Sequence, residues 1–236
     1  MKLFSTVMQK EGKGHAAPSS GWARAGVMAL THFWKLIAVN TLFVVFSLPI
    51  VTLPAALTAL NRVCVIIYRD GNIFLWHEFR KEFCRSFVRS LVPGCGFALL
   101  LSGGYFFMSL GNGNPAQGFV TLLFWSLGIL MTVTALVTGE YFFVLISILE
   151  IRNYDAWKNA MILSLTKPGH ALAIFLTTVI LTVILVSLLP LGFVLLLLFW
   201  AVFAQYPVCY MVYDLTEEMI LIPYEEQQAE NTNHDQ

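Results

Sequence analysis

Residues 119–149 read FVTLLFWSLGILMTVTALVTGEYFFVLISIL, and their one charged side chain is Glu140. A helix of this length would be about 46 Å long at 1.5 Å per residue, which exceeds the roughly 30 Å of hydrocarbon in a bilayer. Four further apolar runs, bounded by Gly, Pro or charged residues, lie at about 34–60, 91–110, 171–189 and 193–213. The sequence therefore predicts an all-α, polytopic membrane helical bundle with four to five transmembrane helices.

The composition indicates the same class of protein. Of the 236 residues, 58% are hydrophobic and 12% are charged, whereas soluble domains average about 25% charged residues. The charges are also segregated along the chain. No Lys or Arg follows Lys167, and seven of the 14 acidic residues lie from Asp214 on. We expect a cytoplasmic or interfacial N-terminal segment at 1–33, a membrane-embedded domain at 34–213 and an acidic disordered tail at 214–236.

The run at 34–60 contains two prolines, Pro49 and Pro54, within the stretch SLPIVTLP at 47–54. Each proline removes a backbone donor and clashes with the carbonyl four residues earlier, so a straight helix is not expected there. Carbonyls freed in lipid need other donors, and the hydroxyl of Thr52 is one candidate. Two alternatives follow: a single kinked spanning helix, or a hairpin or re-entrant element that keeps all Lys and Arg on the cytoplasmic side, as the positive-inside rule favours.

The stretch IFLWHEFRKEFCRSFVRSL at 73–91 has the period of an amphipathic helix. Aromatic side chains share one face, and Lys81, Arg85 and Arg89 line another at i, i+4 spacing. Like charges at this spacing repel one another, whereas an anionic inner leaflet attracts each basic residue by about 1 kcal/mol. The pattern predicts an amphipathic interfacial helix on the cytoplasmic face of the bilayer, with docking of a protein partner as the alternative role of this basic stripe.

Polar residues inside the apolar runs are the candidate functional residues. A carboxylate deep in a membrane costs about 2.5 kcal/mol or more, so Glu140 indicates a proton, cation or sugar contact unless it has an interfacial or protonated structural role. Asn40 is a lone amide that would bind a substrate or, more commonly, a neighbouring helix. Pro49, Thr52 and Pro54 are candidates because they break the first apolar run.

Motifs of enzymes, cofactor sites and metal sites are absent from the sequence. It contains no HExxH, GxSxG, Walker or GxGxxG motif, and its four cysteines have no ligand spacing. The basic residues lack the context of a nucleic-acid-binding surface and fit lipid headgroups better. We therefore expect no enzymatic activity, no cofactor, no metal and no nucleic-acid partner.

Four short stretches follow one another along the first third of the chain: Asn40, SLPIVT at 47–52, PAAL at 54–57 and HEFRKEF at 77–83. Together they resemble the YesL-like family of bacterial integral membrane proteins, a domain of unknown function, although Leu53 stands where a small residue is expected. The resemblance implies a multi-pass protein of the bacterial inner membrane that is associated with carbohydrate uptake and utilisation. It transfers no catalytic or ligand residue.

Two functions are compatible with these features. The first is a non-enzymatic accessory to a carbohydrate ABC uptake system, with permease subunits as the partners that the resemblance implies. The alternative is a small secondary transporter, in which Pro49 and Pro54 break a helix at a central site and Glu140 titrates during transport. Substitution Glu140→Gln separates the two, because only the transporter requires a titrating group.

Overall fold

The computed structural model describes residues 21–71, 73–113, 118–187 and 201–221, and within these ranges it contains helices and no strand. The helices are α1 (Gly21–Thr31), α2 (Phe33–Ser47), α3 (Leu53–Asp70), α4 (Leu75–Gly113), α5 (Phe119–Ile148), α6 (Asn153–Thr166), α7 (Pro168–Ser187) and α8 (Ala201–Thr216). A 3-10 turn (Ile50–Thr52) precedes α3, and a π-helical turn (Glu217–Leu221) follows α8. The predicted all-α bundle is confirmed.

Several helices are long and apolar enough to cross a membrane. Three meet this criterion alone: Ile50–Asp70, Leu75–Asn112 and Phe119–Ile148. The number rises to five if α1 with α2, bent by 80°, and α6 with α7, bent by 101°, each form one span. These helices fit an integral membrane protein. Parts of the predicted runs at 171–189 and 193–213, and most of the predicted N-terminal and tail segments, lie outside the described residues.

The chain reverses direction within the predicted run 34–60. Lys35, in the first turn of α2, donates from Nζ to the carbonyl of Gly71, just after α3, at 2.9 Å. The start of α2 and the end of α3 are therefore neighbours, and the two helices form a hairpin. The alternative of a single kinked helix is wrong. Gly71 ends α3 because its positive φ of 72° suits a residue without a Cβ.

The turn of this hairpin is stabilised by the hydroxyl of Thr52, as the sequence predicts. Its Oγ1 lies 2.6 Å from the carbonyl oxygen of Pro49 and also within hydrogen-bond distance of the carbonyl of Phe46. Pro54 stands in the first turn of α3, where its missing N–H removes no helical hydrogen bond. The two prolines thus end one helix and begin the next.

Helix α4 is continuous through Pro93, which corrects the prediction of a separate interfacial helix at 73–91. Pro93 has no N–H to donate to the carbonyl of Arg89, four residues earlier. Asn153 replaces that donor, because its Nδ2 lies 2.9 Å from the Arg89 carbonyl oxygen. The basic half and the apolar half of α4 therefore form one helix.

Helices α4 and α5 form a close antiparallel pair through small residues. A Cβ added to Gly104 would lie 2.4 Å from Thr132 Oγ1, and one added to Gly128 would lie 2.7 Å from the carbonyl oxygen of Gly104. Such close backbone approach is typical of helices that associate in lipid, where packing replaces the hydrophobic driving force. The outer faces of both helices expose apolar side chains, including Leu99, Tyr105, Leu122 and Leu130.

The core lies at one end of this pair, where α3, the second half of α5 and α8 meet. Its largest fully buried side chains include Leu60, Ile67, Tyr141 and Phe142. Lys and Arg side chains surround the same end, and we call it the basic end. The opposite end holds the last turn of α4 and the first turn of α5, and the sequence from Gly111 to Gly118 has no charged residue.

Candidate functional site

Glu140 lies on α5 opposite Gln205 of α8. The Gln205 Nε2 donates to Glu140 Oε2 at 2.7 Å, and both side chains are at least partly buried. An amide donor is a suitable partner for a carboxylate in an apolar bundle, because it supplies a hydrogen bond without a second charge. The carboxylate thus joins two helices and has a defined partner.

Asn40 provides a second polar contact to α8. Its Oδ1 accepts a hydrogen bond from the backbone N–H of Val202 at 3.1 Å, and the residue is fully buried. Asn40 thus joins α2 to α8, which is the helix-to-helix use of this amide.

Asn61 and Cys209 form a third polar contact to α8, nearer the basic end. The Cys209 thiol lies 3.5 Å from Asn61 Oδ1, and both residues are fully buried. The Nδ2 of Asn61 has no hydrogen-bond partner in the described part of the structure. We name Asn40, Asn61, Glu140, Gln205 and Cys209 the polar row, since they line the contacts of α8 with α2, α3 and α5.

A group of arginines surrounds the C-terminal end of α5. Arg62 donates from Nη1 to the Ser147 carbonyl at 3.1 Å, and Arg89 donates to the carbonyls of Leu149 and Ile151. The last carbonyls of a helix have no intrahelical donors and form the negative end of its dipole. The guanidinium groups therefore cap α5 and fix its connection to α6.

The three residues of the predicted basic stripe, Lys81, Arg85 and Arg89, differ in their contacts. Arg85 pairs with Glu82 at 2.8 Å and with Glu150 at 2.5 Å, and Arg89 binds the α5–α6 connection. Lys81 is exposed and makes no ion pair within the described residues. Of the three residues, only Lys81 offers its charge outward without an internal partner in the described part of the chain.

The exposed surface of α4 near Lys81 is concave. A shallow depression of about 260 Å³ is lined by Trp76, His77, Arg80, Lys81 and Cys84. It combines aromatic surface with two permanent positive charges, and no acidic residue among those described lines it. We call these five residues the α4 patch. Its chemistry suits an anionic or acidic binding partner.

The ends of α3 and α8 are joined at the basic end. The Tyr68 hydroxyl donates to the Asp214 carboxylate at 2.8 Å, and the Arg24 guanidinium lies over the Tyr68 ring, 5.4 Å from its centre. Burial raises the pKa of the Asp214 carboxyl, while the hydrogen bond from Tyr68 and the charge of Arg24 act in the opposite direction. These contacts hold the end of α8 on the hairpin.

The described residues contain no group of three or more His, Cys, Asp or Glu side chains that would hold a metal ion. Sequence reasoning identified Glu140 and Asn40 as candidates but not Asn61, Arg62 or Asn153. An asparagine or arginine at the edge of an apolar run is a weak signal, since it is also typical of an exposed position. Of the other candidate residues, Pro49 and Pro54 shape the hairpin turn. Glu140 contacts α8, through its hydrogen bond with Gln205.

A protein-family model described as "Protein of unknown function, DUF624" matches residues 36–109. The matched region begins in α2 and ends in the last turns of α4, so it contains the hairpin, Arg62 and the α4 patch. No curated protein matches the chain, and no solved structure matches it either.

Proposed function

We propose that this chain is a multi-pass protein of the bacterial inner membrane without enzymatic activity, which assists a carbohydrate ABC uptake system by binding one of its permease subunits. The resemblance to the YesL-like family supports the choice of partner. The α4 patch is the observation that supports a docking role, and the basic end is then the cytoplasmic end of the bundle.

The position of the α4 patch favours contact with another protein. Arg89 binds the α5–α6 connection, and α4 extends from Arg89 back to Leu75 over 14 residues, or about 21 Å. The patch therefore lies beyond the end of α5, where α4 carries charged residues on its exposed face. Arg80 and Lys81 are exposed, and Trp76 keeps 56% of its surface exposed. Aromatic and Arg side chains in a depression are typical anchors of protein interfaces.

The experiment is affinity purification of the tagged protein from native membranes in mild detergent, followed by quantitative mass spectrometry. We expect a permease subunit near one-to-one stoichiometry with the wild type and its loss with the variant Arg80→Glu/Lys81→Glu. The matched control is Lys158→Glu, which reverses an exposed charge on α6 that does not line the α4 patch. Equal recovery of the subunit with both variants would reject the patch as the docking surface, and absence of any partner would reject the accessory role.

One observation favours a small secondary transporter as the second candidate. Glu140 lies between two helices of the bundle with an amide partner, an arrangement that would allow its proton to be exchanged during transport. Substitution Glu140→Gln keeps an oxygen acceptor for Gln205 and removes the titrating group. Loss of proton-coupled flux in proteoliposomes with normal folding would support the transporter, whereas unchanged growth on sugars would count against it.

A further inference from the structure

We infer that the α2–α3 hairpin enters the bilayer from the cytoplasmic side, places its turn among the acyl chains of the inner leaflet and leaves on the same side without crossing. The turn consists of residues 48–52. This topology concerns the contact of the chain with lipid, and it does not depend on the partner proposed above.

The depth of the turn follows from its contact with α4. A Cβ added to Gly94 would lie 2.4 Å from Pro54 Cγ, so the first residues of α3 touch α4 at this position. Gly94 is five residues beyond Arg89, or about 8 Å along the helix. Arg89 in turn marks the level at which α5 ends, because it binds the Leu149 carbonyl at 3.4 Å. The start of α3 therefore lies only a short distance past the charged level. On the other side of the turn, the Phe46 ring lies 4.9 Å from the Phe83 ring, which precedes Arg89 on α4, so both ends of the turn lie near the charged level.

The remainder of α4 continues far beyond the turn. From Gly94 to Asn112 the helix runs for 18 residues, or about 27 Å, which is close to the roughly 30 Å of bilayer hydrocarbon. No charged residue occurs in α4 after Arg89, and α5 contains only Glu140. The hydrocarbon thus covers the part of α4 that follows the turn, and a turn at the level of Gly94 reaches only the inner leaflet.

The surface of the turn is suited to acyl chains. Leu48 is 75% exposed, Ile50 85% and Val51 64%. No charged residue occurs between Lys35 and Arg62. A cluster of exposed branched apolar side chains in water would be unfavourable, whereas inner-leaflet lipid at this depth covers it. The ends of the hairpin carry Lys35 and Arg69, whose charges stay on the cytoplasmic side.

The hairpin has a competing topology, in which α2 crosses outward and α3 crosses back. Residues Ile50–Asp70 are long enough for such a crossing. Both topologies leave the N-terminus inside, so a reporter on the N-terminus does not distinguish them. They differ in the position of the turn, which is either within the inner leaflet or at the outer surface.

The test uses the full chain with its two exposed cysteines replaced, Cys84→Ser and Cys95→Ser, and its buried Cys64 and Cys209 retained. Ile50→Cys places a thiol on the turn, where the exposed side chain can be replaced without loss of core packing. Asn114→Cys, in the uncharged sequence between α4 and α5, is the positive control for the outside. Restored Cys84 is the control for the inside.

Intact cells are labelled with a membrane-impermeant maleimide, and purified protein in vesicles is spin-labelled for collision measurements with oxygen and a water-soluble nickel chelate. We expect Asn114→Cys to be labelled from outside and Ile50→Cys to stay at the background of the buried cysteines. The spin label at position 50 should collide with oxygen more than with the chelate. Maleimide labelling of Ile50→Cys from outside would establish two full crossings and overturn the inference. Preferential collision with the chelate would place the turn in water and would overturn it as well.

Discussion

The hydrogen bond from Asn153 to the Arg89 carbonyl exists because Pro93 cannot supply the helical donor. Replacing Asn153 with Ala removes that bond at 2.9 Å and also the bond from Arg89 Nε to Asn153 Oδ1 at 3.2 Å. Leaving this part-buried carbonyl unpaired costs about 1–3 kcal/mol, and the second bond contributes about 1 kcal/mol more because Arg89 keeps other acceptors. We expect Asn153→Ala to lower the free energy of unfolding by about 2–4 kcal/mol.

The decisive comparison is the same substitution in a Pro93→Ala background. An alanine at position 93 has a backbone N–H that can donate to the Arg89 carbonyl, so Asn153 is no longer the required donor. The cost of Asn153→Ala should then fall to about 1 kcal/mol, which gives a coupling energy of about 1–3 kcal/mol between the two positions. This coupling is expected only if Asn153 replaces the donor that Pro93 lacks. General loosening of the helix would not make the cost of Asn153→Ala smaller in the Pro93→Ala background.

The assay is reversible unfolding of the purified protein in mixed detergent micelles with increasing dodecyl sulfate, monitored by tryptophan fluorescence. Asn159→Ala is the matched control, since Asn159 lies on the same helix and makes no side-chain hydrogen bond in the described part of the structure. Its effect should be within about 0.5 kcal/mol. An equal cost of Asn153→Ala in the wild-type and Pro93→Ala backgrounds would show that Asn153 does not replace the donor that Pro93 lacks.

Three further predictions are tested by the same unfolding assay. Gly104→Ala places a Cβ 2.4 Å from Thr132 Oγ1 and should destabilise the α4–α5 pair by about 1–3 kcal/mol. The control Gly96→Ala, whose Cβ meets no atom within 4 Å, should be neutral. Equal effects of the two substitutions would contradict the close packing of α4 and α5. Thr52→Val removes the donor at the hairpin turn and should cost about 1–2 kcal/mol, while Thr52→Ser should restore most of that stability. Glu140→Gln should change stability by less than about 1 kcal/mol, whereas Glu140→Leu leaves the amide of Gln205 unpaired and should cost about 1–2 kcal/mol; a large loss with Gln would show that the negative charge itself stabilises the bundle.

The fold class could be predicted from the sequence because the length of an apolar run and the positions of Pro and Gly are local properties. The path of the chain within 34–60 could not, because it depends on the contact between Lys35 and Gly71, which are 36 residues apart. The prolines indicate that the helix breaks, but the direction of the following helix is set by tertiary contacts.

The continuity of α4 was missed for a related reason. Pro93 is a local signal for the end of a helix, and the sequence therefore predicts separate elements on its two sides. The donor that keeps the helix intact comes from Asn153, 64 residues away from Arg89. A local rule is overridden here by one distant hydrogen bond.

The candidate site shows the same division. Glu140 and Asn40 can be identified because a polar residue is conspicuous within an apolar run. Their partners, Gln205 and the N–H of Val202, follow only from the packing of α8 on α5 and α2. The sequence pattern places Arg85 and Arg89 on one helix face with Lys81. It does not show that both arginines bind acceptors on the α5–α6 connection, Glu150 and the Leu149 carbonyl.

The most direct test of the accessory role is photo-crosslinking in living cells grown on the transported sugar. A photoreactive amino acid replaces Lys81 in the α4 patch, and a second strain carries it in place of Lys158 as the control. We expect an adduct between position 81 and a permease subunit and no such adduct at position 158. Identical protein adducts at both positions, or adducts with lipid alone at position 81, would contradict it.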